Sequence, residues 1–176
     1  MHCGVHKSLE SRKDSLAAHS SRLTHKYFIR KEVSDMSKIA VVYWSGTGNT
    51  EAMANYVVEG AKESGADVTL FTATEFSKDL IDDFDAFAFG CPSMGSEELE
   101  DSEFEPMFTS IESKLKGKRI ALFGSYGWGD GEWMRTWEET CVDDGAILAC
   151  DSVICNNAPD EEAKSACTLL GKTLVV

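Results

Sequence analysis

A glycine-rich loop between a predicted strand and a predicted helix constrains this chain more than any other feature. Residues 44–50 read W-S-G-T-G-N-T, after a β-branched apolar run at 38–44 and before residues with helical apolar spacing at 49–63. In an α/β sheet, anions bind beyond the carboxyl end of a strand, at a helix N-terminus. No Lys follows the second glycine, and the spacing is not G-x-G-x-x-G, so the ATP-binding P-loop and the dinucleotide loop are disfavoured. The loop predicts a phosphate monoester held by amides and hydroxyls; an ordinary glycine-rich turn is the alternative.

Strand and helix patterns alternate through the rest of the chain. After the first strand and helix, strands are predicted at 67–72, 85–90, 118–124 and within 145–154, and helices at 104–115, 133–143 and 160–172, with 74–84 a connector or short helix. Such alternation predicts an α/β fold with a mostly parallel, doubly wound sheet covered by helices on both faces.

Residues 1–35 differ in composition from the rest of the chain. They are rich in Ser, basic, and carry all four histidines. Three interpretations are open: a transit peptide, a disordered tail, or translation upstream of a true start at Met36. Four acidic residues argue against a transit peptide, and we favour the start at Met36, directly ahead of the first strand. We therefore expect an N-terminal extension over 1–35 and one folded domain over 36–176.

The charge of residues 36–176 restricts the partners of that domain. It holds 10 basic and 26 acidic residues, so it repels nucleic acid and anionic membranes and suits proteins with basic docking faces, although acidity can also serve solubility alone. Without His, it lacks the usual general base of hydrolases and the commonest metal ligand. The six cysteines form no C-x-x-C pair, which predicts no metal site and free thiols in a reducing cytoplasm.

Three motifs together resemble the flavodoxin family. S-G-T-G-N-T after a first strand is similar to that family's phosphate loop, and the match continues through C-P-S-M-G-S-E-E-L-E-D-S-E-F-E-P at 91–106 and G-S-Y-G-W-G-D-G-E-W-M at 124–134. The resemblance runs from Lys38 to the C-terminus and is closest to the short-chain flavodoxins of anaerobic bacteria. It implies a flavodoxin-like doubly wound five-stranded parallel sheet of order 2-1-3-4-5, with FMN bound non-covalently to residues 36–176.

The resemblance also implies that three loops wrap the FMN. The first loop holds the phosphate. In the second, Met94 packs on one face of the isoalloxazine ring, the peptide bond between Gly95 and Ser96 faces flavin N5, and Glu97 bonds the N3 end. In the third, Trp128 stacks on the outer side of the ring. The cofactor-binding residues so implied are Ser45, Gly46, Thr47, Gly48, Asn49, Thr50, Met94, Gly95, Ser96, Glu97, Ser125, Tyr126, Gly127, Trp128, Gly129 and Asn157.

The physical chemistry of these residues agrees with the resemblance. A thioether and an indole are suitable walls for a flat aromatic ring. Gly95 lets its peptide turn over at low cost, so that a carbonyl can meet the N5–H of a neutral semiquinone. Each residue also has a structural interpretation, as core filler, packed loop aromatic or plain turn. Trp44 is predicted to be structural and to pack near the ribityl end.

The predicted function is a low-potential one-electron carrier that shuttles electrons between oxidoreductases in place of ferredoxin. It is expected to be a cytoplasmic monomer and not an enzyme. The alternative is an FMN-dependent quinone reductase on the same fold, which the short body without extra substrate loops disfavours. A response-regulator receiver domain is rejected because S-G-T-G, rather than a pair of acids, follows the first strand.

Overall fold

Strands and helices alternate along residues 36–176, the part of the chain that the computed structural model describes. Residues 1–35 lie outside the described residues, so the structure does not test the three interpretations of that segment. The strands are β1 Lys38–Tyr43, β2 Asp67–Thr72, β3 Ala86–Gly90, β4 Arg119–Tyr126, β5 Ile147–Leu148 and β6 Val153–Asn156. The α-helices are α1 Asn49–Glu63, α2 Phe104–Ile111, α3 Glu132–Asp143 and α4 Glu161–Thr173, with 3₁₀ turns at Lys78–Asp83 and Glu112–Lys114.

The strands form one parallel sheet of order β2-β1-β3-β4-β5, with β6 also paired to β4. This confirms the predicted fold class and order. The fifth strand, predicted within 145–154, is instead two short strands. Ala149 still donates its amide hydrogen to Ile120 O, but Ser152 turns its amide and hydroxyl to the Glu138 carboxylate. After Ala149 the chain no longer pairs with β4, and pairing resumes at Val153, which lies opposite Phe123 of β4.

The two faces of the sheet are packed by different side chains. One face is rich in aromatic rings and is covered by α2 and α3, with the Phe108 ring in edge contact with both Phe89 and Trp137. The other is covered by α1 and α4, which approach closely: a Cβ built on Gly60 would lie 1.9 Å from Thr168 O. Among residues 36–176, no helix is long and apolar enough to span a bilayer.

The fold gathers the loops of interest at one edge. Because all the strands are parallel, the segments that follow β1, β3 and β4 emerge together at their carboxyl ends. Lys38 and Arg119 begin β1 and β4 at the opposite edge, and no Lys or Arg occurs in 39–61, 79–113 or 120–134, which contain these three loops. The sheet edge that carries the loops is therefore anionic.

Candidate functional site

A cavity of about 230 Å³ lies where these three loops meet. Its wall brings together eight of the residues singled out from the sequence: Gly46, Thr47, Asn49, Met94, Ser125, Tyr126, Gly127 and Asn157. The other eight belong to the same loops but are not on the wall: Ser45, Gly48, Thr50, Gly95, Ser96, Glu97, Trp128 and Gly129. Three further residues complete the wall: Trp44, Pro92 and Ser93.

The first loop ends on a helix N-terminus that has open hydrogen-bond donors. Gly48 caps α1 at φ +88°, and its amide donates to Ser45 Oγ at 3.0 Å. The amides of Asn49, Thr50 and Glu51 have no acceptor within the described chain. First-turn amides carry the positive end of the helix dipole and favour an anionic ligand. The loop can therefore hold an anion without a cation, as the sequence predicts.

Two buried hydroxyls join the first loop to β4. Thr50 is fully buried and Ser125 nearly so, and their hydroxyl oxygens lie 3.1 Å apart. Two hydroxyls carry two protons, and this hydrogen bond uses only one of them. One proton of the pair is thus left to donate to a third acceptor.

The second loop is a tight turn closed by two backbone hydrogen bonds. The amides of Met94 and Glu98 donate to each other's carbonyl oxygens, both at 2.9 Å. Gly95 has φ +49° and Glu97 has φ +60°, so two residues occupy the left-handed region. A Cβ on Gly95 would have Glu98 Oε2 as its nearest neighbour, at 3.8 Å. Glycine is favoured here by the backbone conformation and not by lack of space.

Glu97 connects the second loop to the third. Its Oε1 accepts hydrogen bonds from the amides of Gly131 and Glu132, each at 2.9 Å, at the N-terminus of α3. The carboxyl group lies over Gly129, where a Cβ would be 2.3 Å from Glu97 Cδ. A carboxylate here stabilises the helix by accepting from its open amides and by opposing its dipole. The sequence analysis missed this contact; Gly131, which has no capping side chain of its own, was the available signal.

The third loop presents an exposed indole beside a backbone that hydrogen-bonds to the segment after β6. Trp128 is 59% exposed and Met94 is 39% exposed, so both present apolar surface to solvent. Tyr126 packs on the Trp133 ring, and its carbonyl accepts from the Asn157 amide at 2.7 Å. Asn157 adopts φ +60°, a conformation that Asn tolerates better than most residues.

Two of the residues that complete the wall were not among the predicted cofactor-binding residues. Ser93 was given no role, and Trp44 was predicted to be structural and to pack near the ribityl end. Trp44 is half-buried, donates from Nε1 to Glu103 Oε2 at 2.9 Å, and places its ring under Gly46. The amide of Ser93 donates to Ser125 O at 2.9 Å, and Ser93 Oγ is buried without a partner among residues 36–176. The position of Ser93 three residues after the end of β3, inside C-P-S-M-G, was the signal that pointed to it.

A buried carboxylate organises the segment after the second loop. Glu100 is 4% exposed and accepts hydrogen bonds from the Ser102 hydroxyl and from the amides of Ser102, Glu103 and Phe104. Burial, the largest single influence, raises its pKa, but these bonds together outweigh it and hold the pKa below the usual range. Glu100 thereby caps α2 as an anion.

Three buried thiols, one of them in the segment between β3 and the second loop, are not reactive groups. Burial raises the pKa of Cys91, at the end of β3, far above the ordinary range, and raises the pKa of Cys141 and of Cys167 to about 12. A thiol that stays protonated is neither a nucleophile nor a metal ligand. Cys91 instead accepts a hydrogen bond from the Glu100 amide.

Comparison with known proteins identifies similar sequences and structures. The family model described as Flavodoxin matches residues 41–170. A flavodoxin of Megasphaera elsdenii is 48% identical over 134 residues, covering 76% of this chain and 96% of its own, and a flavodoxin of Clostridium beijerinckii is 46% identical with the same coverage. The solution structure of two-electron reduced Megasphaera elsdenii flavodoxin superposes with a TM-score of 0.72, covering 77% of this chain and 97% of that one.

Proposed function

The chain belongs to the flavodoxin family, and from that premise we propose that the cavity between its three loops holds FMN, through which the protein carries electrons. FMN is the cofactor of this protein, and electron transfer is its function. The quinone reductase alternative is not favoured, because the similar proteins are electron carriers rather than enzymes. FMN supplies an isoalloxazine ring that exchanges electrons singly. The residues of this chain bind that ring, orient it and set its surroundings.

We propose that the first loop binds the phosphate. The open amides of Asn49, Thr50 and Glu51, together with the loop's hydroxyls, match an acceptor-rich anion. The absence of Lys and Arg from 39–61 makes this a site for a phosphate ester that stays bound. The spare proton of the Thr50–Ser125 pair is a further donor. These open first-turn amides at the edge of a three-loop cavity are the observation that carries the proposal.

Met94 and Trp128 are proposed as the two walls of the ring site. Their exposed apolar surface, 39% and 59%, would be covered by a flat ring placed between them. The peptide bond between Gly95 and Ser96 lies at the tip of the same turn, where Gly95 already has a positive φ. That peptide can present either its N–H or its carbonyl to ring N5, because glycine adopts both hands of the backbone at little cost.

Redox-partner proteins with basic docking faces are proposed to meet this edge. Six acidic residues lie between 97 and 105, and Asp130 and Glu132 follow the third loop. Arg135, the next cation along the chain after the third loop, is already paired with Asp130 at 2.6 Å. Opposite charges steer encounter and orient a partner, more than they add affinity. The same charge disfavours nucleic acid and anionic membranes, and the protein is proposed to act as a monomer.

The domain assignment and compartment are proposals of the same kind. Residues 36–176 are proposed to be the complete FMN-binding domain, with residues 1–35 dispensable for binding. The free thiols at Cys91, Cys141, Cys150, Cys155 and Cys167 support a reducing compartment, the cytoplasm. A chain that begins at Met36 is then expected to bind FMN as tightly as the full chain.

The proposal is tested by a loop variant and two ligands. Thr47 lines the cavity, and its hydroxyl has no partner in the described part of the chain, so Thr47→Val should leave folding of the apoprotein unchanged. Loss of one hydrogen bond to a charged group costs about 1.5–3 kcal/mol. Calorimetry should show that loss for FMN and none for riboflavin, which lacks the phosphate. Equal losses for both ligands would contradict the phosphate assignment.

A redox measurement tests the function itself. The holoprotein should take up electrons singly in a reductive titration followed by absorbance, and NADH alone should not bleach its yellow colour. Bleaching by NADH would favour the reductase alternative instead.

A further inference from the structure

Ser93 has a hydroxyl group that no other group among residues 36–176 uses. Its Oγ is buried and has no hydrogen-bond partner among residues 36–176, although the residue lines the cavity between the three loops. Buried polar side-chain atoms are paired in the large majority of cases, and leaving one unpaired is costly. An unused hydroxyl on a residue of the cavity wall is accounted for when a ligand supplies its partner.

The backbone holds Ser93 firmly in place. Its amide donates to Ser125 O at 2.9 Å, at the carboxyl ends of β3 and β4. The preceding residue is Pro92, which has no amide hydrogen to offer the cavity. The Ser93 amide is already in use, so the Ser93 hydroxyl is the donor that this short stretch of wall can provide.

Ser93 lies between the regions proposed for the two ends of the cofactor. On one side is Ser125, whose hydroxyl bonds Thr50 in the first turn of α1, at the phosphate loop. On the other side is Met94, proposed as a wall of the ring site. The part of FMN between phosphate and ring is the ribityl chain, whose hydroxyls both donate and accept hydrogen bonds.

We propose that Ser93 Oγ donates a hydrogen bond to a ribityl hydroxyl of the bound flavin. The inference rests on the proposed function, since it requires FMN in this cavity. It makes Ser93 a specificity-determining residue that recognises flavins carrying a ribityl chain, whatever their phosphate. Among residues 36–176, the other buried side-chain atom without a partner is Trp137 Nε1, whose residue lines a separate groove between α2 and α3.

The test is Ser93→Ala, titrated with three flavins by quenching of flavin fluorescence. FMN and riboflavin should each bind about 2- to 10-fold more weakly, the range for one neutral hydrogen bond. Lumiflavin, which has the ring but no ribityl chain, should bind equally well to both proteins. The urea unfolding curve of the apoprotein should be unchanged or shifted to higher urea, because the hydroxyl has no protein partner to lose.

The matched control is Ser64→Ala, which removes an exposed hydroxyl at the end of α1 and should change none of these values. A loss confined to FMN would place the Ser93 contact at the phosphate, and a loss that includes lumiflavin would place it at the ring; either overturns the proposal, as does unchanged binding of all three flavins. If the unsubstituted protein fails to bind FMN, the proposed function fails first, which keeps the two outcomes distinct.

Discussion

Removal of the Glu97 side chain should show that it joins two loops of the site. Glu97→Ala deletes the acceptor of two amides, from Gly131 and Glu132, at the start of α3. Loss of a helix cap costs about 0.5–2 kcal/mol, and hydrogen bonds to charged groups are worth somewhat more than neutral ones. Glu132 is exposed and water can replace its lost acceptor, whereas Gly131 is buried. We therefore expect the free energy of unfolding of the apoprotein to fall by about 1–2 kcal/mol.

The neighbouring Glu98 provides the matched control. Its side chain is exposed and makes no hydrogen bond or ion pair within residues 36–176, while its backbone bonds to Met94 do not depend on the side chain. Glu98→Ala removes the same charge from the same loop, so any long-range electrostatic effect should be shared by both variants. Its effect on stability should stay within about 0.5 kcal/mol.

Urea unfolding followed by far-ultraviolet circular dichroism measures both variants. The midpoint should fall for Glu97→Ala with the slope unchanged, because the buried surface is the same. FMN and riboflavin should both bind this variant more weakly, since the second and third loops are no longer tied together. Equal unfolding free energies for the Glu97 and Glu98 variants would refute the role of Glu97 as a link between loops.

Three further perturbations test separate parts of the structure. Gly95→Ala should strain the positive φ by roughly 1 kcal/mol without a steric clash. Provided that this positive φ belongs to the conformation whose carbonyl meets N5–H, spectroelectrochemistry should show the first reduction potential lowered by about 40 mV; a raised potential would assign the positive φ to the oxidised state, and an unchanged one would mean that another group serves N5. Glu100→Gln should lower the unfolding free energy by about 1.5–3 kcal/mol at pH 7. The pKa of Glu100 is lower in the folded than in the unfolded protein, so the carboxylate stabilises the fold above the unfolded pKa near 4.3 and loses that effect as the pH falls through the folded pKa. The difference in unfolding free energy between Glu100→Gln and the unsubstituted protein should therefore narrow below about pH 4. A difference that does not change with pH would contradict the role of Glu100 as an anionic cap. Gly60→Ala should destabilise the protein by about 1–3 kcal/mol in thermal or urea unfolding, because the new Cβ would lie 1.9 Å from Thr168 O on α4. Helix propensity alone predicts the opposite, a stabilisation. A stabilised variant would show that α1 and α4 separate freely.

Local pattern was enough to predict most of the elements. The first helix was predicted at the residues where α1 occurs, because apolar spacing and a closing glycine are properties of adjacent residues. The helix predicted to 115 ends its α-helical part at Ile111 and continues as a 3₁₀ turn. The split between β5 and β6 was not predicted; between the two strands Ser152 donates to Glu138 on α3, a tertiary contact that no local pattern shows.

In the candidate site, too, local motifs predicted some residues, whereas contacts between distant residues became visible only in the folded structure. Gly46, Asn49 and Met94 were found from the sequence because motif residues directly follow a strand, and a parallel sheet brings such positions to one edge. The structure alone shows that Glu97 reaches Gly131 across 34 residues. Such a contact leaves no periodic trace in the chain.

By itself, the amino-acid sequence determined the strand–loop–helix order, the anionic character of residues 36–176 and the glycine-rich first loop without Lys or Arg, since each is a property of neighbouring residues or of composition. Only the tertiary structure decided which groups are left with unused hydrogen-bonding capacity. Ser93 is an ordinary serine in the sequence, and its hydroxyl becomes informative when folding buries it, on a residue of the cavity wall, without a partner among residues 36–176. Burial and hydrogen-bond satisfaction are set by residues distant in sequence, so they exist only once the chain has folded.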